Sequence, residues 1–175
     1  IKIIGEKLSG KTHLTNIFIK KNKGIKIEAK SLNYDHLKKI KIHENIILEN
    51  LTSDVYEKLL YSFLNLIDQE NKYIIITSFI PIVYIDFKLK DLKSRTKNFL
   101  LFNIEKPDDE LVFAIILKNL SDRQILLDKK LINYIIKRID RSYSKIYDFI
   151  YKIDQLSLKK KKSIDFKIIK EVLGE

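Results

Sequence analysis

A chain of 175 residues with 45% hydrophobic side chains can bury a real core, as one domain or as a domain with a small appendage. It has no cysteine, which excludes disulfides, thiolate catalysis and Cys-based zinc sites, and its three histidines, His13, His36 and His43, lack metal-ligand spacing. A formal net charge of +11 suits nucleic acid, an acidic partner or phosphate, but the preference for Lys and Ile throughout reads as compositional bias and selects none of these. No apolar run reaches the roughly 18 residues of a membrane span, and the first residues do not form a signal peptide, so a cytoplasmic protein is expected.

In chain order, Ile1-Lys2-Ile3-Ile4 reads as a short apolar strand, and 11–21 carries Leu14, Ile17 and Phe18 at helical spacing. Between them stands Gly5-Glu6-Lys7-Leu8-Ser9-Gly10-Lys11-Thr12, a complete G-x-x-x-x-G-K-[ST] loop. Its glycines let successive backbone N–H groups turn toward phosphate oxygens. Lys11 brings a positive charge to the β/γ phosphates, and the Thr12 hydroxyl is suited to Mg²⁺. ATP or ADP with Mg²⁺ is the expected ligand.

Ile25, Ile27 and Ala29 alternate with polar residues as a half-buried strand does, and a short helical piece follows around 34–39. The apolar run Asn45-Ile46-Ile47-Leu48 ends on Glu49-Asn50. Beside a phosphate-binding loop such a strand delivers a carboxylate toward the metal and a neighbouring group toward the attacking water, which makes Glu49 the candidate metal-side carboxylate and Asn50 its partner. Taken alone, a buried strand ending in Glu is commonplace. Val55, Leu59, Leu60, Phe63, Leu66 and Ile67 predict an amphipathic helix over 53–70, starting near Thr52 or Ser53. Tyr73 to Ser78 reads as a buried parallel strand, 88–95 follows a loop with Pro81, and 99–104 supplies a fifth strand. Strands alternating with helices predict a doubly wound α/β sheet.

After Pro107 only helical periodicity remains, over 108–120, 128–139, 142–156 and 165–173. Asp108 and Asp109 follow the proline as a helix start, since carboxylates meet the dipole there. Lys159 to Lys162 interrupts the pattern, as a solvated loop or as a nucleic-acid contact. Two domains are expected, an α/β core over 1–106 and a helical one over 107–175.

A phosphate-binding α/β core followed by a four-helix lid resembles the AAA+ ATPases. Gly10-Lys11-Thr12-His13-Leu14 is similar to the G-K-T-H-L of the replication initiator DnaA and its relatives, and Ile75-Ile76-Thr77-Ser78 falls where that clade has its sensor-1 strand. Asp91-Leu92-Lys93-Ser94-Arg95 resembles the D-L-x-S-R of Hda, the short DnaA homologue that inactivates the initiator. Lys106-Pro107-Asp108-Asp109-Glu110-Leu111 resembles the opening of its lid, Asp140-Arg141-Ser142 falls on the sensor-2 segment, and 156–173 resembles the end of the Hda lid. The resemblance implies that Arg95, by its residue type alone a surface arginine, is a finger acting on a neighbour's nucleotide, and that Arg141 touches the γ-phosphate. It also implies DnaA as the partner, with the sliding clamp bound through an N-terminus upstream of Ile1. That upstream segment is expected because the chain starts on a strand without an initiator Met.

Two departures stand out. Glu49-Asn50 replaces a pair of aspartates, and Asn50 cannot act as a base, so slow intrinsic hydrolysis is implied. The sensor-1 Asp of DnaA falls on Phe79. Two other readings stay open at this point, a helicase loader that grips single-stranded DNA under ATP control and a non-hydrolysing interaction module.

Overall fold

The computed structural model describes all 175 residues. Two compact units emerge, Ile1–Ile104 and Glu105–Glu175.

In the first unit the chain runs β1 (Lys2–Gly5), α1 (Lys11–Asn22), β2 (Ile25–Glu28), α2 (Tyr34–Lys41), β3 (Asn45–Glu49), α3 (Glu57–Gln69), β4 (Tyr73–Ser78), α4 (Lys90–Lys97) and β5 (Leu101–Ile104). The strands form one five-stranded sheet in the order β2-β3-β4-β1-β5, with every pairing parallel. Interior strands of such a sheet are covered on both faces, and the continuous runs Ile46-Ile47-Leu48 and Ile75-Ile76 are buried accordingly. Leu60, Phe63 and Ile67 of α3, Ile40 of α2 and Leu92 of α4 complete this core. β5 is an edge strand, and its Leu101 and Phe102 are exposed.

The structure departs from the periodicity in two places here. α3 starts at Glu57 and not near Ser53, because Leu51 and Val55 are buried and the Leu51 N–H donates to the Thr77 carbonyl at 2.8 Å, which holds 51–56 against the sheet. The apolar stripe of α1 does not face the sheet. Leu14 and Ile17 are exposed, and the helix buries Lys11 and Thr15 instead.

The second unit is all-helical, with α5 (Asp109–Ser121), α6 (Lys129–Ile136), α7 (Tyr143–Lys160) and α8 (Phe166–Leu173). Each helix begins on a side-chain cap. The oxygens of Asp108, Asp128, Ser142 and Asp165 accept from the backbone N–H groups of Leu111, Lys130, Lys145 and Ile168. The inner faces meet in a core that includes Ile116, Ile135, Ile146, Ile150 and Ile169. α7 continues through Lys159 and Lys160, beyond the expected end at Leu156. It stops at Lys161, whose φ of 52° is the left-handed conformation that closes a helix, while Lys160 pairs with Glu171 of α8. No helix is long and apolar enough to cross a membrane.

Candidate functional site

The loop between β1 and α1 lies at the edge of the sheet where the strands end. Gly10 is the N-cap residue of α1 with φ 92°, a left-handed geometry that glycine adopts without penalty, and no side chain caps the helix. The first N–H groups of α1 have no partner within the helix, so they and the positive end of the dipole present a place for an anion. Gly5 has a different reason to be glycine. A Cβ there would fall 2.7 Å from Ser9 Oγ and 3.0 Å from Ile104 Cβ. Ser9 Oγ is buried without a hydrogen-bond partner, as expected of a loop whose polar atoms are set for a ligand.

Lys11 is folded back on its own loop. Its Nζ donates to the carbonyls of Gly5 and Glu6, each at 2.7 Å, and lies 4.7 Å from the centre of the Phe79 ring. Burial pushes its ammonium below the usual lysine range. Phe79 thus meets the lysine with an aromatic face. Thr12 and His13 are exposed in the first turn of α1, and Lys7 and Leu8 are exposed on the loop, with Leu8 at φ 67°.

Glu49 and Asn50 come to the same edge at the end of β3. Both oxygens of Glu49 are already bonded, Oε1 accepting from Thr15 Oγ1 at 2.8 Å and Oε2 pairing with Lys26 Nζ at 2.9 Å. Its charge is therefore balanced by an ammonium. Mg²⁺ at a nucleotide needs only one or two protein groups beside phosphate oxygens and water, and the exposed Thr12 hydroxyl fits that role, with Glu49 as a charge-balanced neighbour behind it. No group of three or more His, Cys, Asp or Glu could hold a metal ion unaided. Asn50 has φ 54°, its N–H donates to Thr77 Oγ1 at 2.9 Å, and its Nδ2 donates to the carboxylate of Glu28 at 3.1 and 3.2 Å.

The structure does not bring Arg95 to this loop. α3 and α4 run back along the sheet, so their C-terminal ends lie at the edge where the strands begin. There the Arg95 guanidinium pairs with Asp68 at 3.2 Å and stands 5.9 Å from the Tyr61 ring. Arg95 lines a cleft of about 910 Å³ together with Asn45, Asp91 and Asn98. Arg141 belongs to the helical unit, where it pairs with Asp109 at 2.6 Å. Thr15, Lys26 and Glu28 carry no motif of their own, and in the sequence they are ordinary polar positions on a helix and an alternating strand.

Compared with known proteins, this arrangement has clear counterparts. The structure of domain III of the Thermotoga maritima replication initiation protein DnaA superposes with a TM-score of 0.76 at 21% identity, covering 99% of this chain and 82% of that one. The AMPPCP-bound DnaA of Aquifex aeolicus gives 0.69 at 22% identity over 91% of this chain and 56% of that one. The RuvB Holliday junction branch migration motor of Thermotoga maritima gives 0.73 at 14% identity over 99% and 60%. The fold is thus that of P-loop AAA+ proteins, with a parallel α/β core and a helical unit after it in the chain.

Residues 108–173 match the family described as Hda, lid domain. The chain is 27% identical over 190 residues to the chromosomal replication initiator protein DnaA of Buchnera aphidicola subsp. Cinara cedri (strain Cc), covering 95% of this chain and 43% of that protein. It spans less than half the length of that relative. Within the AAA+ class, the chain is DnaA-related and Hda-like.

Proposed function

We propose that this chain is an Hda-like regulator of replication initiation, which binds an adenine nucleotide in its own loop and offers Arg95 to the ATP of DnaA. The observation that carries the reading is the separation of Arg95 from this chain's loop. An arginine at the opposite edge of the sheet has no access to the nucleotide of its own chain, and it is available to a neighbour. Positive charge brought to a transferring phosphoryl group is worth roughly 10³ to 10⁵ in rate. Adenine nucleotide as ligand is supported by the open loop around Ser9 and Gly10 and by the likeness to a DnaA bound to AMPPCP. Mg²⁺ bound with the nucleotide would neutralise phosphate charge. Thr12 would hold it, with Glu49 behind.

In this reading the protein acts together with the sliding clamp, any contact with DNA is made through the partners, and the protein works in the cytoplasm. Its own turnover is slow, because Asn50 carries no proton-accepting group. The test is phosphate release by DnaA, with clamp loaded on DNA and the full-length protein added. Wild type should accelerate release, and Arg95→Ala should abolish the acceleration while its nucleotide affinity stays within about twofold of wild type. Equal stimulation by the variant would rule out the composite site, as would brisk turnover by the isolated wild type.

A further inference from the structure

We infer that Asp68, in the last turn of α3, is the positioning residue of the Arg95 finger, holding its guanidinium in one orientation so that it meets a partner's phosphate already set. The inference rests on the reading of Arg95 as a finger acting on a neighbour's nucleotide and adds to it the residue that orients the finger.

The backbone of the finger helix is fixed without Asp68. No side chain caps α4 from within, and the Glu57 carboxylate at the start of α3 anchors the two residues before it, its oxygens accepting from the N–H groups of Lys88 and Leu89 at 2.9 and 2.8 Å. At the other end the buried Lys2 ammonium donates to the Thr96 carbonyl at 3.0 Å, one of the last-turn carbonyls that have no partner within a helix. Leu92 between them is fully buried. α4 is thereby held at its start, its middle and its end, each time by a group other than its arginine.

The arginine side chain is a separate matter, since a long chain of rotatable bonds loses much conformational freedom when it must hold a single geometry. α3 supplies two groups for it. Tyr61 and Asp68 are seven residues apart, close to two helical turns, and so share one face of α3. Asp68 Oδ2 accepts from Nη1 at 3.2 Å, and the Tyr61 ring centre lies 5.9 Å from Cζ, within reach of a cation–π contact. Nη2 and Nε make no hydrogen bond within the chain, so the guanidinium keeps donors for a phosphate while Asp68 holds it. That division of donors makes Asp68 a holder and not a competitor for the finger. The Asp68 side chain is 75% exposed, so the pair adds little to folding, and what it supplies is orientation.

The experiment is phosphate release by ATP-loaded DnaA, with clamp loaded on DNA and the full-length protein titrated in, so that the maximal rate and the concentration for half-maximal stimulation are read separately. It compares wild type, Arg95→Ala, Asp68→Ala and Asp68→Asn, with thermal unfolding and ADP affinity of each measured in parallel. Asn keeps an oxygen for Nη1 and gives up the charge. Asp68→Ala should lower the maximal rate about fivefold, the upper end of what an exposed pair contributes, with half-maximal concentration, unfolding temperature and ADP affinity unchanged. Asp68→Asn should recover to within about twofold of wild type. Suppose Arg95→Ala abolishes the stimulation. A maximal rate in Asp68→Ala equal to wild type or above it, a loss confined to the half-maximal concentration, or a loss that Asn does not recover then overturns Asp68 as the positioning residue and leaves the finger standing. Stimulation by Arg95→Ala equal to wild type, or a wild type that gives none, overturns the finger reading and Asp68 with it.

Discussion

Lys2 at the start of β1 and Lys11 beyond its end are both buried lysines, and they differ in what a substitution removes. Lys11 holds its ammonium on two loop carbonyls and an aromatic face, from which a phosphate can draw it. Lys11→Ala should weaken ADP binding by roughly 1.5 to 3 kcal/mol, the range for a charge-assisted contact, as read by titration of the folded variant. Unchanged affinity would remove the loop from the nucleotide site. Lys2 is 4% exposed, and its Nζ donates to the Thr96 carbonyl at 3.0 Å, tying β1 to the end of α4. Burial lowers its pKa below the ordinary 10.5. Between the lowered folded value and 10.5 the unfolded chain binds more protons than the folded one, so stability from this group rises with pH across that window. Urea unfolding of Lys2→Met should show a shallower rise over the same window, and an unchanged slope would place the titration elsewhere.

At the scale of elements, the helical unit and α1 show two different relations between pattern and packing. α5 to α8 bury the faces their periodicity marks, and each starts at an acid or serine that caps it. Ile150 of α7 is fully buried in that core, and Ile150→Ala should cost about 2 to 5 kcal/mol from lost transfer energy and the cavity left behind. The check is thermal unfolding of the variant against wild type, where a loss below 1 kcal/mol would mean that the core collapses around the site. α1 is the contrary case. Its rotation is set by the loop before it and by the bond from Thr15 to Glu49, so a lysine and a threonine face inward while Leu14 and Ile17 face out. A stripe of apolar residues at helical spacing carries no label saying which neighbour will cover it. Here the hydrogen bond across to β3 and the loop before the helix outweigh it.

At the scale of the molecule, the two candidate arginines belong to different units, Arg95 at the edge of the sheet opposite the loop and Arg141 in the helical unit. The resemblance to the initiator family gives Arg141 a part in sensing the γ-phosphate, and its guanidinium is available at the cost of one exposed ion pair with Asp109, a bond of small net worth in water. Arg141→Ala should narrow the difference between ATP and ADP affinity and leave helix content unchanged. Equal losses for both nucleotides would assign Arg141 a structural part.

Local chemistry was enough to mark the phosphate loop between a strand and a helix, the apolar runs of the interior strands and the acidic start of the helical unit after Pro107. Each depends on residues within a turn or two of one another: glycine where φ is positive, unbroken apolar runs where both faces are covered, an acid where N–H groups are free. The placement of Glu28 beside Asn50, of Lys26 on Glu49 and of Arg95 on Asp68 was decided only in three dimensions. Those partners are 22, 23 and 27 residues apart in sequence. Strand order and register bring them together, and a parallel sheet sets its register through side-chain packing across layers that no single segment contains.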